Sequence, residues 1–142
     1  MYNGSTLELV KSWGDWLGGR GWDYFSTITY KHDIKPQRNE KIMLELESFL
    51  EKNLSHYTMF WIMEHTTNGY QTHNHLLLKG IGIKEVVEDF LIKKKLVNKK
   101  LIRHYAYQSE QGASYYVSKY IKSPKIKYGI AHSHNANYTS SE

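Results

Sequence analysis

The chain has no cysteine, only two prolines and no apolar run long enough to span a membrane. The lack of cysteine excludes disulfides and thiolate metal sites, and it fits a reducing, cytoplasmic environment. The N-terminus also lacks the charged-then-apolar layout of a signal peptide, so we expect no membrane partner. At 142 residues the chain has the length of one domain. A chain of this length can bury a hydrophobic core that is stable without disulfides.

Basic and aromatic residues are abundant instead. The net charge is +5, the pI is near 9.2, and there are 12 tyrosines and four tryptophans. Basic side chains attract phosphates and aromatic rings stack on unpaired bases, so this composition suits a single-stranded nucleic acid. An ordinary soluble surface explains the charge equally well.

The dipeptide Asn68-Gly69 separates two strand-like runs at 57–65 and 71–78. Asn-Gly in this position predicts a two-residue type I′ hairpin, because both turn residues need a positive φ. Such a turn sets the register of the two strands. The predicted pairs are Thr67 with Tyr70, Thr66 with Gln71, His65 with Thr72, Glu64 with His73 and Ile62 with His75.

This register puts one carboxylate and two imidazoles on one side of the sheet, at Glu64, His73 and His75. Directly opposed residues share a face, and so do residues two apart on one strand. Two histidines and a carboxylate with open positions form a typical site for a catalytic divalent metal. Mg²⁺ or Mn²⁺ suits a site that holds a phosphate oxygen, while Zn²⁺ matches imidazole better on affinity. A bulge in this hairpin would shift the register by one residue and place His65 instead of Glu64 on the face of the two histidines. The unbulged turn places Glu64 there.

The other predicted elements alternate between helix and strand. They are a helix at 6–17, a strand at 22–31, a helix from about 36 to 53, a helix after Gly82 through Leu91, a strand at 101–107 and a helix at 110–122. After the first helix the order is β-α-β-β-α-β-α, and its first six elements form the split β-α-β arrangement. We therefore predict an α+β, ferredoxin-like or RRM-like sandwich, with a four-stranded antiparallel sheet. Its helices cover one face and the metal site lies on the other.

The last predicted helix carries a candidate nucleophile. Tyr116 and Tyr120 are four residues apart and share a helix face, and Lys119 lies on the same stripe. A phenol has a pKa near 10 and must lose its proton to attack phosphorus, which a nearby cation and a metal-polarised phosphate both favour. The alternative is that these rings only pack the helix against the sheet.

The chain resembles the HUH endonucleases, and among them the rolling-circle replication initiators of plasmids and viruses. Residues 25–30, Phe-Ser-Thr-Ile-Thr-Tyr, resemble the first strand motif of that family. His73-Asn74-His75 with Glu64 resembles the metal motif, and the run at 116–119 resembles the Tyr-x-x-Lys motif. Tyr120 resembles the second tyrosine of members that carry two. One departure is Asn74, because the family has an apolar residue between its histidines.

The resemblance implies a mechanism and a domain plan. Residues 1–122 would form one nuclease domain, with 1–20 as a helical extension and 123–142 as a C-terminal tail. The metal on Glu64, His73 and His75 would polarise a phosphate of single-stranded origin DNA, in a hairpin loop or otherwise unpaired. Tyr116 would become joined to the 5′ phosphate, and Tyr120 or the freed 3′ hydroxyl would reverse the step, with Lys119 positioning the phosphate.

The implied partners are a host polymerase and a host helicase. The sequence has no Gly-rich Walker loop, so it does not predict a fused helicase. The protein would act as a monomer or homodimer. Basic residues in the second half of the chain are candidates for contact with the DNA backbone, or simply solvated surface. They are Lys93, Lys94, Lys95, Lys99, Lys100 and Arg103.

Three other interpretations stay open. A single-tyrosine transposase of the same superfamily would use the same chemistry. A non-enzymatic RNA- or DNA-binding domain of the same topology would stack bases on Phe25, Tyr30 or Trp61. A structural zinc site normally needs four protein ligands, and only three are predicted here.

Overall fold

The computed structural model describes residues 4–65, 72–108, 112 and 127–133. These residues form three α-helices, a short 3-10 turn and five strands. In chain order they are α1 (Gly4–Gly18), β1 (Tyr24–Thr29), α2 (Pro36–Asn53), β2 (Thr58–His65), β3 (Thr72–Lys79), α3 (Ile83–Lys93), the 3-10 turn (Lys99–Leu101), β4 (Ile102–Ala106) and β5 (Tyr128–His132).

The strands form one antiparallel sheet in the order β4-β1-β3-β2-β5. Without β5 this is the strand order of the split β-α-β sandwich, so the predicted fold class is confirmed. The pairing of β2 with β3 matches the predicted hairpin register, with Glu64 opposite His73 and Ile62 opposite His75. The predicted turn at 68–69 lies outside the described residues.

The main core lies between the sheet and the helices α2 and α3, on what we call the helix face. Pro36 begins α2, where a missing N–H costs nothing because the first turn has no helical partner for it. Apolar residues then recur at three- and four-residue steps on one side of α2, which lets that side lie flat against the strands. From the sheet, Met59, Trp61, Leu76 and Leu78 contribute fully or almost fully buried side chains.

Asn74 also points to the helix face, where the side chain is completely buried. Its amide and the amide of Asn39 on α2 bond each other reciprocally, at 2.8 and 3.1 Å. The hydroxyl of Tyr30 donates a third hydrogen bond to Asn39 Oδ1 at 2.6 Å. A buried amide without partners is costly, so this network explains how a polar residue is accommodated between the two histidines.

The opposite face, which we call the site face, is not wholly open as predicted. Helix α1 packs over part of it, where Leu17 joins Phe60, Ile62 and Leu77 in a second apolar cluster with Trp13 against its edge. This cluster explains why β2 and β3 carry apolar residues on both sides. The uncovered part of the site face lies toward Glu64 and His73.

Strand β5 was not predicted, because residues 123–142 were expected to be an extension and tail. Its residues Tyr128–His132 are short, contain a glycine and lie in a polar sequence, so they show little intrinsic strand pattern. Pairing with the free edge of β2 supplies the hydrogen bonds instead. Gly129 is required opposite Trp61, since a Cβ there would lie 2.7 Å from the indole Nε1.

Across the parts of the chain that the structure describes, no helix combines the length and apolar character needed to span a membrane.

Candidate metal and nucleic-acid site

Strands β2 and β3 bring Glu64 and His75 into direct contact on the site face. His75 Nε2 lies 2.9 Å from Glu64 Oε1. His75 lies two pairs along the ladder from the Glu64–His73 pair, which is the next position on the same face, so this is a diagonal contact. The prediction that Glu64 rather than His65 faces the histidine pair is confirmed by this register.

Burial determines the charge state of His75. Its side chain is almost fully enclosed, and its ring stacks on Phe25 with centroids 6.0 Å apart. Burial lowers the pKa of His75 below its usual value, although the hydrogen bond and charge of Glu64 oppose the shift. The imidazole is therefore neutral at pH 7, which is the form that binds a metal ion.

Two threonine hydroxyls of β1 contact the Nδ1 atoms of His73 and His75. The sequence analysis did not predict these contacts. Thr29 Oγ1 lies 2.8 Å from His73 Nδ1, and Thr27 Oγ1 lies 3.4 Å from His75 Nδ1. A hydrogen bond at Nδ1 fixes the orientation of the ring and leaves Nε2 for a metal or carboxylate. The alternation Thr-x-Thr in residues 27–29 was visible in the sequence, but only the pairing of β1 with β3 shows what the hydroxyls contact.

The donor atoms fit one edge of a metal coordination sphere. Two ligands of an octahedral ion, at about 2.1 Å from it and at right angles to each other, are about 3 Å apart, close to the 2.9 Å between Glu64 Oε1 and His75 Nε2. Within the described residues, no three His, Asp or Glu side chains are grouped closely enough to form a complete ligand set. His73, the third predicted ligand, lies opposite Glu64 in the ladder but is not part of a closed trio.

The predicted nucleophile region, with Tyr116, Lys119 and Tyr120, lies outside the described residues. Its flanking strands are described. β4 ends at Ala106 and β5 begins at Tyr128, and these two strands form opposite edges of the sheet.

The predicted DNA-contact residues separate into two groups. Arg103 is exposed on β4 and pairs with Thr27, so it shares the site face. The five lysines lie at the end of α3 or in the 3-10 turn and are exposed. Two of them are engaged in ion pairs, Lys93 with Asp89 at 3.1 Å and Lys94 with Glu45 at 2.6 Å.

Two of the three residues proposed to stack bases in a non-enzymatic domain are excluded. Tyr30, directly after β1, and Trp61 on β2 are buried on the helix face, at 3% and 2% exposure, because their positions put them under α2 and α3. Burial also raises the pKa of the Tyr30 phenol, so that this tyrosine is no nucleophile at neutral pH. Phe25 remains on the site face, where it supports the His75 ring.

Three side chains linked by polar contacts have the residue types of a hydrolase triad but not its geometry. They are Ser26, His104 and Glu88. Ser26 Oγ lies 2.6 Å from His104 Nδ1, and His104 Nε2 lies 2.8 Å from Glu88 Oε2. Ser26 has no exposed surface, so no substrate can reach its hydroxyl. This cluster joins β1, β4 and α3 structurally.

Comparisons of the chain with protein-family models, curated proteins and solved structures find no match.

Proposed function

We propose that this protein nicks and rejoins single-stranded DNA by means of a tyrosine nucleophile and a divalent metal, and thereby initiates rolling-circle replication of a plasmid or virus. One observation carries the proposal. A buried, neutral His75 and the Glu64 carboxylate present donor atoms 2.9 Å apart on the face opposite the two core helices. A packing role alone gives no reason to set the buried His75 against the half-buried Glu64 beside His73 and to orient both rings with threonines.

The ligands would be Glu64, His73 and His75, and the metal, Mn²⁺ or Mg²⁺ with Zn²⁺ as the alternative, would supply Lewis-acid polarisation of the scissile phosphate. Because His75 is neutral, its single ring proton would lie on Nδ1, beside Thr27 Oγ1, in the form whose Nε2 could bind the ion. Thr29 and Thr27 would keep the Nε2 atoms aimed at the ion.

Tyr116 is the proposed nucleophile. Its oxygen loses a proton and bonds to the scissile phosphorus, while the 3′ oxygen of the upstream strand leaves and is protonated. Lys119 would neutralise charge on the phosphate. Attack by a 3′ hydroxyl on the phosphotyrosine reverses the step and needs no nucleotide cofactor, and Tyr120 would accept a second strand.

The test uses single-stranded oligonucleotides of random sequence labelled at the 3′ end, incubated with the protein and Mn²⁺ and resolved on a denaturing gel. A 5′-phosphotyrosine intermediate keeps the 3′ fragment on the protein, so the 3′ label should migrate with the protein in SDS. The same pool labelled at the 5′ end should instead give shortened free DNA. Chelation with EDTA should abolish both products.

Three variants assign the chemistry. Tyr116→Phe should remove the covalent band, whereas Tyr115→Phe, its neighbour, should retain it. Glu64→Gln should weaken the band and raise the Mn²⁺ concentration needed for it. If no band forms with any metal or pool, or if Tyr116→Phe is fully active, the proposal is wrong.

A non-enzymatic single-strand-binding domain is the second candidate, because Arg103 and the 52% exposed Tyr105 lie on the site face. Binding on native gels with no SDS-resistant band would favour it. A single-tyrosine transposase is the nearest enzymatic alternative. Full cleavage and joining by a dimeric Tyr120→Phe variant would favour the transposase over the initiator.

A further inference from the structure

Within the part of the chain that the structure describes, β5 is an outer strand of the sheet. The unpaired N–H and C=O groups of an outer strand can bond to a further strand, and many proteins prevent this with lysine, proline or a bulge. The residues of β5 are Tyr-Gly-Ile-Ala-His, without proline, lysine or carboxylate, and they pair with β2 without a bulge. The other outer strand, β4, carries the exposed Arg103. Strand β5 is therefore the edge better suited to accept a further strand.

The outward-facing donors of β5 can be identified from its pairing with β2. The N–H of Ser133, the residue after the strand, donates to Tyr57 O at 3.0 Å. Successive residues of a strand direct their N–H groups to opposite sides, so the N–H groups of Tyr128 and Ile130 point away from β2. These are the donors that a further strand would use.

Large apolar side chains border β5 on both faces of the sheet. Tyr128 and Ile130 pair with Ile62 and Phe60 of the site-face cluster, and each remains 40% exposed. On the other side of β5, Leu44 of α2 shares a groove with the strand and is 54% exposed. A further strand would remove these three side chains from water, which favours its binding.

The groove between α2 and β5 has a volume of about 570 Å³ and attracts positive charge. Two carboxylates and one lysine line it, namely Glu47, Glu51 and Lys52. The chain as a whole has a net charge of +5. A basic ligand is therefore attracted to this groove and repelled by most of the remaining surface.

Glu47 is a half-buried carboxylate on the α2 side of this groove. Burial raises the pKa of its carboxyl, the indole N–H of Trp61 opposes the shift, and no cation among the described residues contributes. That indole N–H is itself buried without a hydrogen-bond partner in the described part of the chain. A cation bound at Glu47 would stabilise the charged carboxylate that burial disfavours.

An added strand would present alternate side chains to these two surfaces. Successive residues of a strand point to opposite faces of the sheet. One set would cover Tyr128 and Ile130 on the site face, and the other would enter the groove at Glu47. The surface therefore fits a segment in which apolar and basic residues alternate.

We propose that an extended segment of another protein, with alternating apolar and basic residues, adds to β5 as a further strand and places an arginine or lysine side chain against Glu47. Main-chain hydrogen bonds would supply affinity, and the pairing with Glu47 would supply selectivity. Residues 134–142 of this chain contain no lysine or arginine, so they do not match these requirements. The groove lies on the face opposite the Glu64–His75 pair, and the inference does not rest on the nuclease proposal.

The test uses a fluorescein-labelled peptide, Val-Arg-Val-Arg-Val-Arg-Val, and fluorescence anisotropy in EDTA without DNA. This peptide should bind more tightly than Val-Val-Val-Val-Arg-Arg-Arg, which has the same composition without alternation. It should also bind more tightly than Val-Glu-Val-Glu-Val-Glu-Val, which has the opposite charge. Amide hydrogen exchange followed by NMR should show new protection at Tyr128 and Ile130 when the first peptide is added.

A variant of the groove tests the role of the carboxylate. Glu47→Gln should weaken binding of the alternating peptide about 10- to 150-fold, the equivalent of one hydrogen bond between charged groups. Glu45→Gln removes the same charge from another side of α2, where the carboxylate pairs with Lys94 at 2.6 Å, and should bind as wild type. Thermal melts verify that both variants are folded.

Two methylated peptides test strand addition itself. N-methyl groups on all arginines or on all valines block the N–H groups on one side of the extended peptide or on the other. One of the two should lose binding and the other should keep it.

Four results would overturn the inference. They are equal binding of the alternating and rearranged peptides, wild-type affinity in Glu47→Gln, equal effects of the two methylation patterns, and protection of the Tyr128 and Ile130 amides before any peptide is added. In the last case this chain or a second copy occupies the edge. Analytical ultracentrifugation would then show which, since a second copy requires a dimer.

Discussion

Replacing Asn39 with leucine should destabilise the protein more than any other single change in the network under the histidine strand. Asn39 makes three hydrogen bonds, two with the amide of Asn74 and one from the hydroxyl of Tyr30. All three residues are at most 3% exposed, so water cannot replace a lost partner. The substitution leaves three buried polar atoms without a partner, namely Asn74 Oδ1, Asn74 Nδ2 and the Tyr30 hydroxyl.

The magnitude follows from counting bonds and orphaned atoms. A net hydrogen bond contributes about 1 kcal/mol, and a buried atom left without a partner costs about 1–3 kcal/mol. Asn39→Leu orphans three atoms and should therefore lower the free energy of unfolding by at least about 3 kcal/mol. Asn74→Leu removes two bonds and orphans only Asn39 Nδ2, which gives about 2 kcal/mol. Tyr30→Phe removes one bond and orphans nothing, which gives about 1 kcal/mol.

Urea unfolding followed by tryptophan fluorescence measures these differences, and a double-mutant cycle isolates the coupling. The Asn39→Leu/Asn74→Leu protein should lose clearly less stability than the sum of its single variants, because the second change removes orphaned atoms. Additive costs, or a larger cost for Asn74→Leu than for Asn39→Leu, would refute the network as the reason that a polar residue separates the two histidines.

Four further predictions follow from single contacts. The raised pKa of Tyr30 means that only the unfolded state ionises as pH rises above about 10, so stability should fall through that range, and less steeply in Tyr30→Phe. Gly129→Ala should cost about 1–3 kcal/mol of unfolding free energy, measured in urea, because the new Cβ meets Trp61 Nε1 at 2.7 Å. Thr29→Val should weaken Mn²⁺ binding about 10- to 100-fold by calorimetry, through loss of ring orientation. Lys95→Gly should raise the melting temperature, since Lys95 has φ 61 in the left-handed region where glycine is favoured after a helix.

Matched variants show whether each effect has the stated cause. Gly19→Ala should be mild, because its Cβ meets nothing closer than 3.7 Å. Thr27→Val should affect Mn²⁺ binding less than the Thr29 change, because its hydroxyl contact is 3.4 Å rather than 2.8 Å. A Lys95→Ala variant that stabilises as much as glycine would contradict the backbone explanation.

The central hairpin was predictable because its determinants are local. A two-residue turn at 68–69 requires residue 64 to face residue 73, and the strand alternation then assigns each side chain to a face. Helix α2 was predictable for the same kind of reason, from its proline start and the apolar repeat that ends near Asn53.

Features that depend on distant chain segments were missed or incomplete. Strand β5 exists because the edge of β2 is available, and its own five residues carry almost no strand signal. The cover of α1 over Phe60 and the support of both histidines by β1 threonines likewise depend on which elements become neighbours.

The sequence by itself determined the order of helices and strands from α1 to β4, the hairpin register and the face shared by Glu64, His73 and His75, since backbone periodicity and turn chemistry act over a few residues. Only the tertiary structure decided that Glu64 contacts His75, that Asn39 satisfies Asn74 and that β5 pairs with the edge of β2. These contacts join residues far apart in the chain, and their energies depend on burial and pairing, which arise only when the sheet and helices come together.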